Sequence, residues 1–590
     1  MKKNVLFIVI DSVTNDILFN KSNSKQIAPF LCNLRDNAIS GDKMYSEAPY
    51  TEAALMSLLC SVDTMDNGGY MERLKNSKSV LETFQENGYR VFFNNYYPSI
   101  YPSYMVKGYD EKRYIEGFQF MHLWDYRFKY FSKLYLDNCL SKKEVKMLED
   151  MLEDNFEGWI LYLEKIKNRD IETELINDNL DISNIGQDIK ILKREYKKFV
   201  KDKSDYLKKL FIEGEEHILF DIKNYIMDDK IHDNHFRDEV KNKYYKTFKN
   251  IEKLNFKRNL INNHLPVSKA IKCLVKRDFG TFKGLLAGYK NSLFDKDLYE
   301  RISDNYDLFK VQRSFDAVSK SFFKWLDNND FKPWCSYIHV DDAHFPENFF
   351  SYDSYNMELL DEEFSRIDNY LANLPKDYKG NITYDLSLLY CDNVVNNIFK
   401  HLEEKDILKD TVVVITADHG FSYYFSPVRE KYVISSYKEN YNVPFIIYSN
   451  DIEKKRIDGF CATKDIPATL LDLVNIKVPD YFRGKSLNSF NGRDYALLEY
   501  MGGGCPDMKR RPINLGIRTD NYSVVLNLYI KNDFSKKEIV EVYDLKNDKN
   551  EHNNLKGKKN IEINLTKELK ILEERFNELK RQYEKDGKND

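Results

Sequence analysis

The sequence predicts an α/β protein: a mostly parallel sheet flanked by helices, broken by a long helical insertion and followed by a small C-terminal antiparallel sheet. Three observations predict it. Short continuous apolar runs, Val5–Ile10 and Thr411–Thr416 among them, have the length and β-branched makeup of strands buried on both faces. Such runs alternate with helix-period segments, the order of a parallel sheet. After Gly484 the pattern changes to closely spaced strand-like segments with no helix between them.

In chain order, Val5–Ile10 reads as a strand ending at Asp11, and Ala28–Asn37 has helical spacing. Helices follow at Thr51–Cys60 and at Val80–Gly88, the latter closing on a C-terminal glycine, and Tyr89–Asn94 is a strand. The pattern resumes with the strand Trp334–Val340, the helix Tyr384–Leu402, the strand Thr411–Thr416, the strand Val443–Tyr448 and the helix Asp465–Val474. Tyr495–Tyr500, Leu515–Arg518, Tyr522–Leu528 and Ile539–Asp544 form the small antiparallel sheet, and Ile561–Lys585 is a charged amphipathic helix. That helix either packs on the body or pairs with a second copy, so a homodimer is left open. The predicted divisions are 1–121 for the first part of the α/β domain and 122–324 for the insertion. Residues 325–490 are the second part, 491–560 the small β subdomain and 561–590 the C-terminal helix.

The insertion is rich in Lys, Glu, Asp and Tyr, and helical in period over Lys190–Leu210 and Tyr244–Leu260. Within Arg237–Lys283, Lys and Arg outnumber Asp and Glu about threefold. A solvated helical face accounts for this. The sharper reading is a docking surface for an anionic substrate or a membrane surface, which keeps peripheral membrane contact open.

Bulk properties exclude several classes. Over 590 residues, 42% are hydrophobic and 31% charged, so the chain buries a sizeable core and needs several compact units or large insertions. A formal net charge of -4 supplies neither the basic excess of a nucleic-acid binder nor the acidity of a solvating chain. Eight cysteines, scattered from Cys32 to Cys505 without a C-x-x-C pair, read as free thiols in a reducing compartment. No apolar stretch reaches bilayer-spanning length. The Val5–Ile10 run is too short for a signal-peptide core, so a cytoplasmic protein is expected.

Asp11, His344 and the pair Asp418-His419 each lie just past the end of an apolar strand. Ligands of parallel α/β sheets collect outside the carboxyl ends of strands, so these groups are candidates to converge. Carboxylates with a neutral imidazole are a ligand set for a divalent cation. Each residue alone has a plainer explanation: Asp11 as a cap, His419 as a turn histidine before Gly420, His344 as a loop residue. Their shared position at strand ends favours function. Thr51 stands where a helix begins, which suits an N-cap hydroxyl or a nucleophile set among backbone N–H groups that stabilise a transferred anion.

A series of motifs in order carries a resemblance to the sulfatase branch of the alkaline phosphatase superfamily. Asn4–Asp11 resembles the family's first strand with its metal-binding aspartate, and Ala48–Leu59 its nucleophile helix, with Thr51 at the nucleophile position. His339–Pro346 is similar to the loop whose last histidine, here His344, contacts the transferred group. Val412–Gly420 is the most specific match, followed by Tyr437–Asn440, Val443–Ile447, Asp465–Leu471, Arg483–Leu487 and Val542–Leu555. The resemblance implies an alkaline phosphatase-like fold and one divalent ion (Mn²⁺, Mg²⁺ or Ca²⁺) held by Asp11, Thr51, Asp418 and His419. It implies Thr51 and His344 as catalytic groups, with His344 and, less directly, Lys438 binding substrate.

Two departures narrow the implied chemistry. Sulfatases carry a Cys or Ser, oxidised to formylglycine, in a C/S-x-P/A-x-R pattern; here the matching positions are Thr51, Ala53 and Leu55. Threonine cannot form that aldehyde. Ser12 stands where many sulfatases have a further metal-binding aspartate. A threonine ester must be resolved by in-line attack, which a phosphoryl centre allows. The chain is therefore closer to Thr-dependent phosphoglycerol and phosphoethanolamine transferases and phosphoesterases. The expectation is a hydrolase or transferase acting on an anionic phosphate ester, on a cell-surface glycan precursor by family analogy. The alternatives are a sulfate-ester hydrolase without formylglycine and an inactive binding scaffold.

Overall fold

The computed structural model describes residues 2–19, 24–66, 78–95 and 111–113, then chiefly 142–168, 185–213 and parts of 243–254. From there it describes 314–327, 333–344, 357–374, 381–421, 437–501, 512–529, 536–558 and 561–586. Most of the basic Arg237–Lys283 stretch, the end of the Tyr244–Leu260 helix and the Phe345-Pro346 pair lie outside the described residues.

The central sheet is built from β1 (Asn4–Ile10), β2 (Ile39–Ser40), β4 (Arg90–Asn95), β5 (Glu111–Arg113), β6 (Trp334–Val340), β7 (Thr411–Thr416), β8 (Phe445–Tyr448) and β9 (Lys455–Arg456). A short parallel pair, β3 (Met44–Tyr45) with β10 (Cys461–Ala462), stands beside it. The strand order is β5-β4-β6-β1-β7-β8-β2-β9. Pairing is parallel from β5 to β7, and β8 runs antiparallel to both β7 and β2. All seven residues of β1 and of β6 are buried, which explains the unbroken apolar run Val5–Ile10: a strand inside a parallel sheet covered on both faces has no solvent side to mark with polar residues.

The helices pack where their apolar faces direct them. Ser314–Asp327 lies against β4 and β6, with Trp325 stacked on Phe92 at 4.8 Å and edge-on to Trp334 at 6.0 Å. Pro29–Asp36 contacts β2 and β8 and also packs on the long helix Ile382–Glu404. That helix starts its partner: Asp392 accepts hydrogen bonds from the N–H groups of Phe30 (3.2 Å) and Leu31 (2.7 Å), and pairs with Arg366 at 3.0 Å. The five described cysteines are buried free thiols.

Within the insertion, the predicted Lys190–Leu210 helix is two helices, Ile185–Lys201 and Lys203–Phe211. The break falls at Asp202, whose side chain caps the second by accepting from Asp205 N at 2.9 Å. These helices and Lys142–Lys167 enclose an aromatic cluster in which Phe156 meets Phe128, Trp159, Tyr196, Phe199 and Tyr206 within 6.2 Å. None of these residues belongs to the main core, so the insertion carries a core of its own.

The C-terminal sheet is an antiparallel meander of β11 (Ala496–Met501), β12 (Ile513–Arg518), β13 (Tyr522–Tyr529) and β14 (Lys536–Asp544). The helix Thr566–Asp586 packs on β12 through a face that buries Leu572, Phe576 and Leu579, so it docks on its own body. Among the described residues no helix is long and apolar enough to cross a membrane.

Candidate active site

Register brings the strand ends together. Val9 of β1 pairs with His339 of β6 on one side and with Thr416 of β7 on the other. Asp11 and Asp418 therefore each lie two residues past one row of the sheet, and His339 lies on that row. All three are buried, and each offers one ligand atom within 4.8 Å of the others.

The Asp11 carboxylate is set by a strained turn. Ser12 has φ 65°, a left-handed conformation that non-glycine residues seldom adopt. It turns the Ser12 N–H toward Asp418 Oδ1 (3.4 Å) while its hydroxyl donates to Asp11 Oδ1 (2.7 Å). Ser12 thus serves as a donor to both carboxylates at the position where the resemblance calls for a third. The Tyr384 hydroxyl clamps the turn, donating to Ser12 O (3.0 Å) and accepting from Thr14 N (3.2 Å). Asp418 Oδ1 also accepts from His419 N at 2.8 Å, whereas its Oδ2, fully buried, has no hydrogen-bond partner among the described residues. A buried carboxylate oxygen without a donor is costly. A divalent cation between Asp11, His339 and Asp418 satisfies it, and the donor set fits such an ion.

Thr51 is the first residue of the helix Thr51–Cys60, not its cap. Tyr50 is the N-cap, in extended conformation, and makes no side-chain capping bond. The Thr51 hydroxyl lies 3.4 Å from Asp11 Oδ2 and 3.2 Å from His419 Nε2. His419 Nδ1 is 2.7 Å from Gly420 O; donating there leaves the Nε2 lone pair facing Thr51, Asp11 (3.4 Å) and Asp418 (3.6 Å). Burial opposes a charged His419, but Asp418 and Asp11 outweigh it and raise its pKa above the usual value. Burial holds His339 down, to about 4, against the pull of Asp418, so this imidazole is neutral and fit to ligate near neutral pH.

The remaining predicted residues lie as follows. The His344 ring is 6.3 Å from that of His419 and 5.8 Å from that of Phe421, and its N–H closes a turn onto Asp341 O at 2.9 Å. The Lys438 ammonium is 3.5 Å from Asp16, the described contact of its charge. Leu55 is fully buried in the core, so the helix carries no basic group one turn beyond Thr51. His339 was the residue that sequence reasoning passed over; its signal was an ionisable side chain in the otherwise neutral run Trp334–Val340.

Buried ion pairs anchor the Thr51 helix at both ends. The Lys464 ammonium bridges Glu47, at 2.5 Å, and Asp63, which flank the helix before and after. Ser57 bonds Thr463 at 2.9 Å and Ser61 donates to Lys464 O at 2.7 Å. From the C-terminal helix, Arg575 joins Glu499 (2.5 Å), Asp66 (3.0 Å) and Asp63 (3.7 Å). Burial alone would raise the Asp63 pKa, but Lys464, Arg575 and Arg483 hold it well below the ordinary carboxylate range.

The family profile described as sulfatase matches residues 3–169 and 240–476, more than half of the chain. The chain belongs to the sulfatase family. A second profile, the C-terminal region of N-sulphoglucosamine sulphohydrolase, matches residues 432–582 of this sulfatase-family chain. An ulvan-active sulfatase of Formosa agariphila is 30% identical over 100 residues, covering 16% of this chain and 20% of the relative. A 2,3-bisphosphoglycerate-independent phosphoglycerate mutase of Clostridium tetani is 30% identical over 94 residues, covering 16% and 18%. The chain thus spans about a fifth of the length of the curated relatives it matches. A solved structure assigned to the sulfatases from Bacteroides thetaiotaomicron superposes with a TM-score of 0.50 at 12% identity, covering 99% of this chain and 94% of that one, a likeness of fold.

Proposed function

We propose that this sulfatase-family enzyme cleaves or transfers a phosphate ester through Thr51, with a divalent cation held by Asp11, Asp418, His419 and Thr51 and completed by His339. The observation that carries the reading is the Thr51 hydroxyl. It begins a helix without capping it and lies within 3.4 Å of Asp11 and 3.2 Å of His419 Nε2. A buried hydroxyl spent on a structural bond would not be aimed at two acceptors of a carboxylate–imidazole cluster.

A cation bound there supplies charge that lowers the hydroxyl pKa and polarises the ester. The rest of the chemistry falls to the chain. Thr51 Oγ1 gives up its proton to the Asp11 carboxylate, whose Oδ2 is 3.4 Å away, and attacks phosphorus, forming the Oγ1–P bond as the ester's P–O bond breaks. His344 protonates the departing alkoxide. The uncapped N–H groups of the first helical turn stabilise the equatorial oxygens. Water, or an acceptor alcohol, then displaces Thr51 in line and releases the phosphate or its transferred ester.

The missing aldehyde chemistry at Thr51 and the missing cation at Leu55 favour phosphate, and the similarity to a phosphoglycerate mutase supports it. A second reading, a sulfate ester, has its own support in the similarity to an ulvan-active sulfatase. The C-terminal match to the N-sulphoglucosamine sulphohydrolase profile favours a substrate carried on a glycan under either reading. The test offers purified protein with Mn²⁺ a panel of aryl phosphate monoesters, phosphodiesters and sulfates. Turnover of phosphorylated substrates that vanishes in Thr51→Ala is expected. Turnover of sulfates alone overturns the phosphate reading, and full activity in Thr51→Ala overturns the nucleophile.

A further inference from the structure

Three loops carry the groups assigned above: 11–15 with Asp11, 46–51 with Thr51, and 418–420 with Asp418 and His419. All three are tied to one turn, by consecutive backbone carbonyls. Asn440 O accepts from Gly420 N at 2.9 Å, Tyr441 O from Ser46 N at 2.7 Å, and Asn442 O from Asn15 N at 2.9 Å. The three residues of the turn are buried. The fit against the third loop leaves no slack: a Cβ on Gly420 would stand 2.1 Å from Glu439 O.

The turn is itself fixed from outside the α/β domain. Glu551, in the segment after β14, is buried and adopts a left-handed φ of 54°. One of its carboxylate oxygens accepts from Lys438 N, the first N–H of the turn, at 3.0 Å. The other is held at 2.5 Å by Arg518, a buried residue at the end of β12. Lys438 also reaches Asp16, next to the first loop, at 3.5 Å. A carboxylate held in a strained backbone by a buried arginine, with its other oxygen on Lys438 N, has the build of a fixed strut.

We propose that Glu551 is a positioning residue: through Lys438 N it sets the turn 438–442, whose three carbonyls hold the loops of Asp11, Thr51 and His419 in mutual register. The C-terminal subdomain thereby takes part in the chemistry through Glu551. This rests on the reading of those three residues as the catalytic and metal-binding set. It names a determinant of their geometry that lies 113 residues from the turn in sequence.

The test uses the full chain with Glu551→Ala, Glu551→Gln and, as a control in the same sheet, Glu538→Ala, which removes only an exposed pair with Lys556. Titration calorimetry with Mn²⁺ alone and steady-state turnover of the best aryl ester are the readouts. Glu551→Ala should weaken Mn²⁺ binding and lower kcat, each about tenfold or more, with KM nearly unchanged. The glutamine keeps an oxygen for Lys438 N but loses the pairing with Arg518, so it should recover part of both, and Glu538→Ala should match the unaltered protein. If the alanine variant does not fold, Glu551→Asp, too short to hold both donors, carries the same prediction. Unaltered Mn²⁺ affinity and kcat in Glu551→Ala overturn the proposal, as does an equal loss in the glutamine variant or in the control. Retained activity in Thr51→Ala defeats the nucleophile reading alone, because the loss of Mn²⁺ affinity in Glu551→Ala still supports the strut.

Discussion

Tyr384→Phe deletes one oxygen and tests whether the turn after β1 is held in place or merely rests there. The hydroxyl joins Ser12 O and Thr14 N, at 3.0 and 3.2 Å, and all three residues are essentially inaccessible to water. Its loss leaves a buried carbonyl and a buried N–H without that partner, at about 1–3 kcal/mol each. Partial relaxation brings the expected cost to roughly 2–4 kcal/mol. Relaxation has a direction, because Ser12 is in the left-handed region, and its release relieves about 1–2 kcal/mol of strain. The relaxed turn swings the Ser12 N–H away from Asp418 and its hydroxyl away from Asp11, and Mn²⁺ affinity should fall about tenfold. Urea unfolding and Mn²⁺ calorimetry on the same preparation measure both effects. A variant within about 0.5 kcal/mol of the parent, binding Mn²⁺ as tightly, would refute the reasoning.

Two further predictions concern the ion pairs around the Thr51 helix. Lys464→Met strands Glu47 in the interior, takes one of three cations from Asp63 and should cost about 3–5 kcal/mol, seen as a lower urea midpoint. Adding Glu47→Gln and Asp63→Asn to it should recover part of that loss; no recovery would mean that packing, not charge, was lost. Asp63→Asn alone should destabilise at neutral pH, by an amount that shrinks on acidification. The folded-state pKa of Asp63 is depressed, so its contribution is present above the unfolded value of about 4 and is lost as pH falls toward the folded value. A gap between parent and variant that widens below that value would contradict the assignment.

Much of this architecture was legible in the sequence because the central strands advertise themselves. Val5–Ile10 and Thr411–Thr416 are apolar without interruption, and the acid that follows each falls at the sheet's carboxyl edge. His339 was hidden for the same reason. A residue inside a buried strand reads as core, and only its register against Val9 and Thr416 puts it beside Asp418. Thr51 was ambiguous between cap and nucleophile because both begin a helix. The contact on which the proposed nucleophile role rests, with His419, joins residues 368 apart in sequence. The break at Asp202 was a local signal, an N-cap aspartate inside a strong helical period that masked it. Tyr437–Asn440 was legible as a motif, but not as a tie between loops, since the turn 438–442 acts through carbonyls that every residue possesses.

Whether Thr51 carries the transferred group is the central question, and one measurement addresses it most directly. The protein is incubated with Mn²⁺ and a slow-turnover aryl phosphate, quenched in acid, digested and examined by mass spectrometry across the peptide containing Thr51. A phosphate on Thr51, absent from the same peptide when Asp11 is replaced by Asn, is the expected result. Substrate consumed in full while the Thr51 peptide remains unmodified at every quench time would contradict the account.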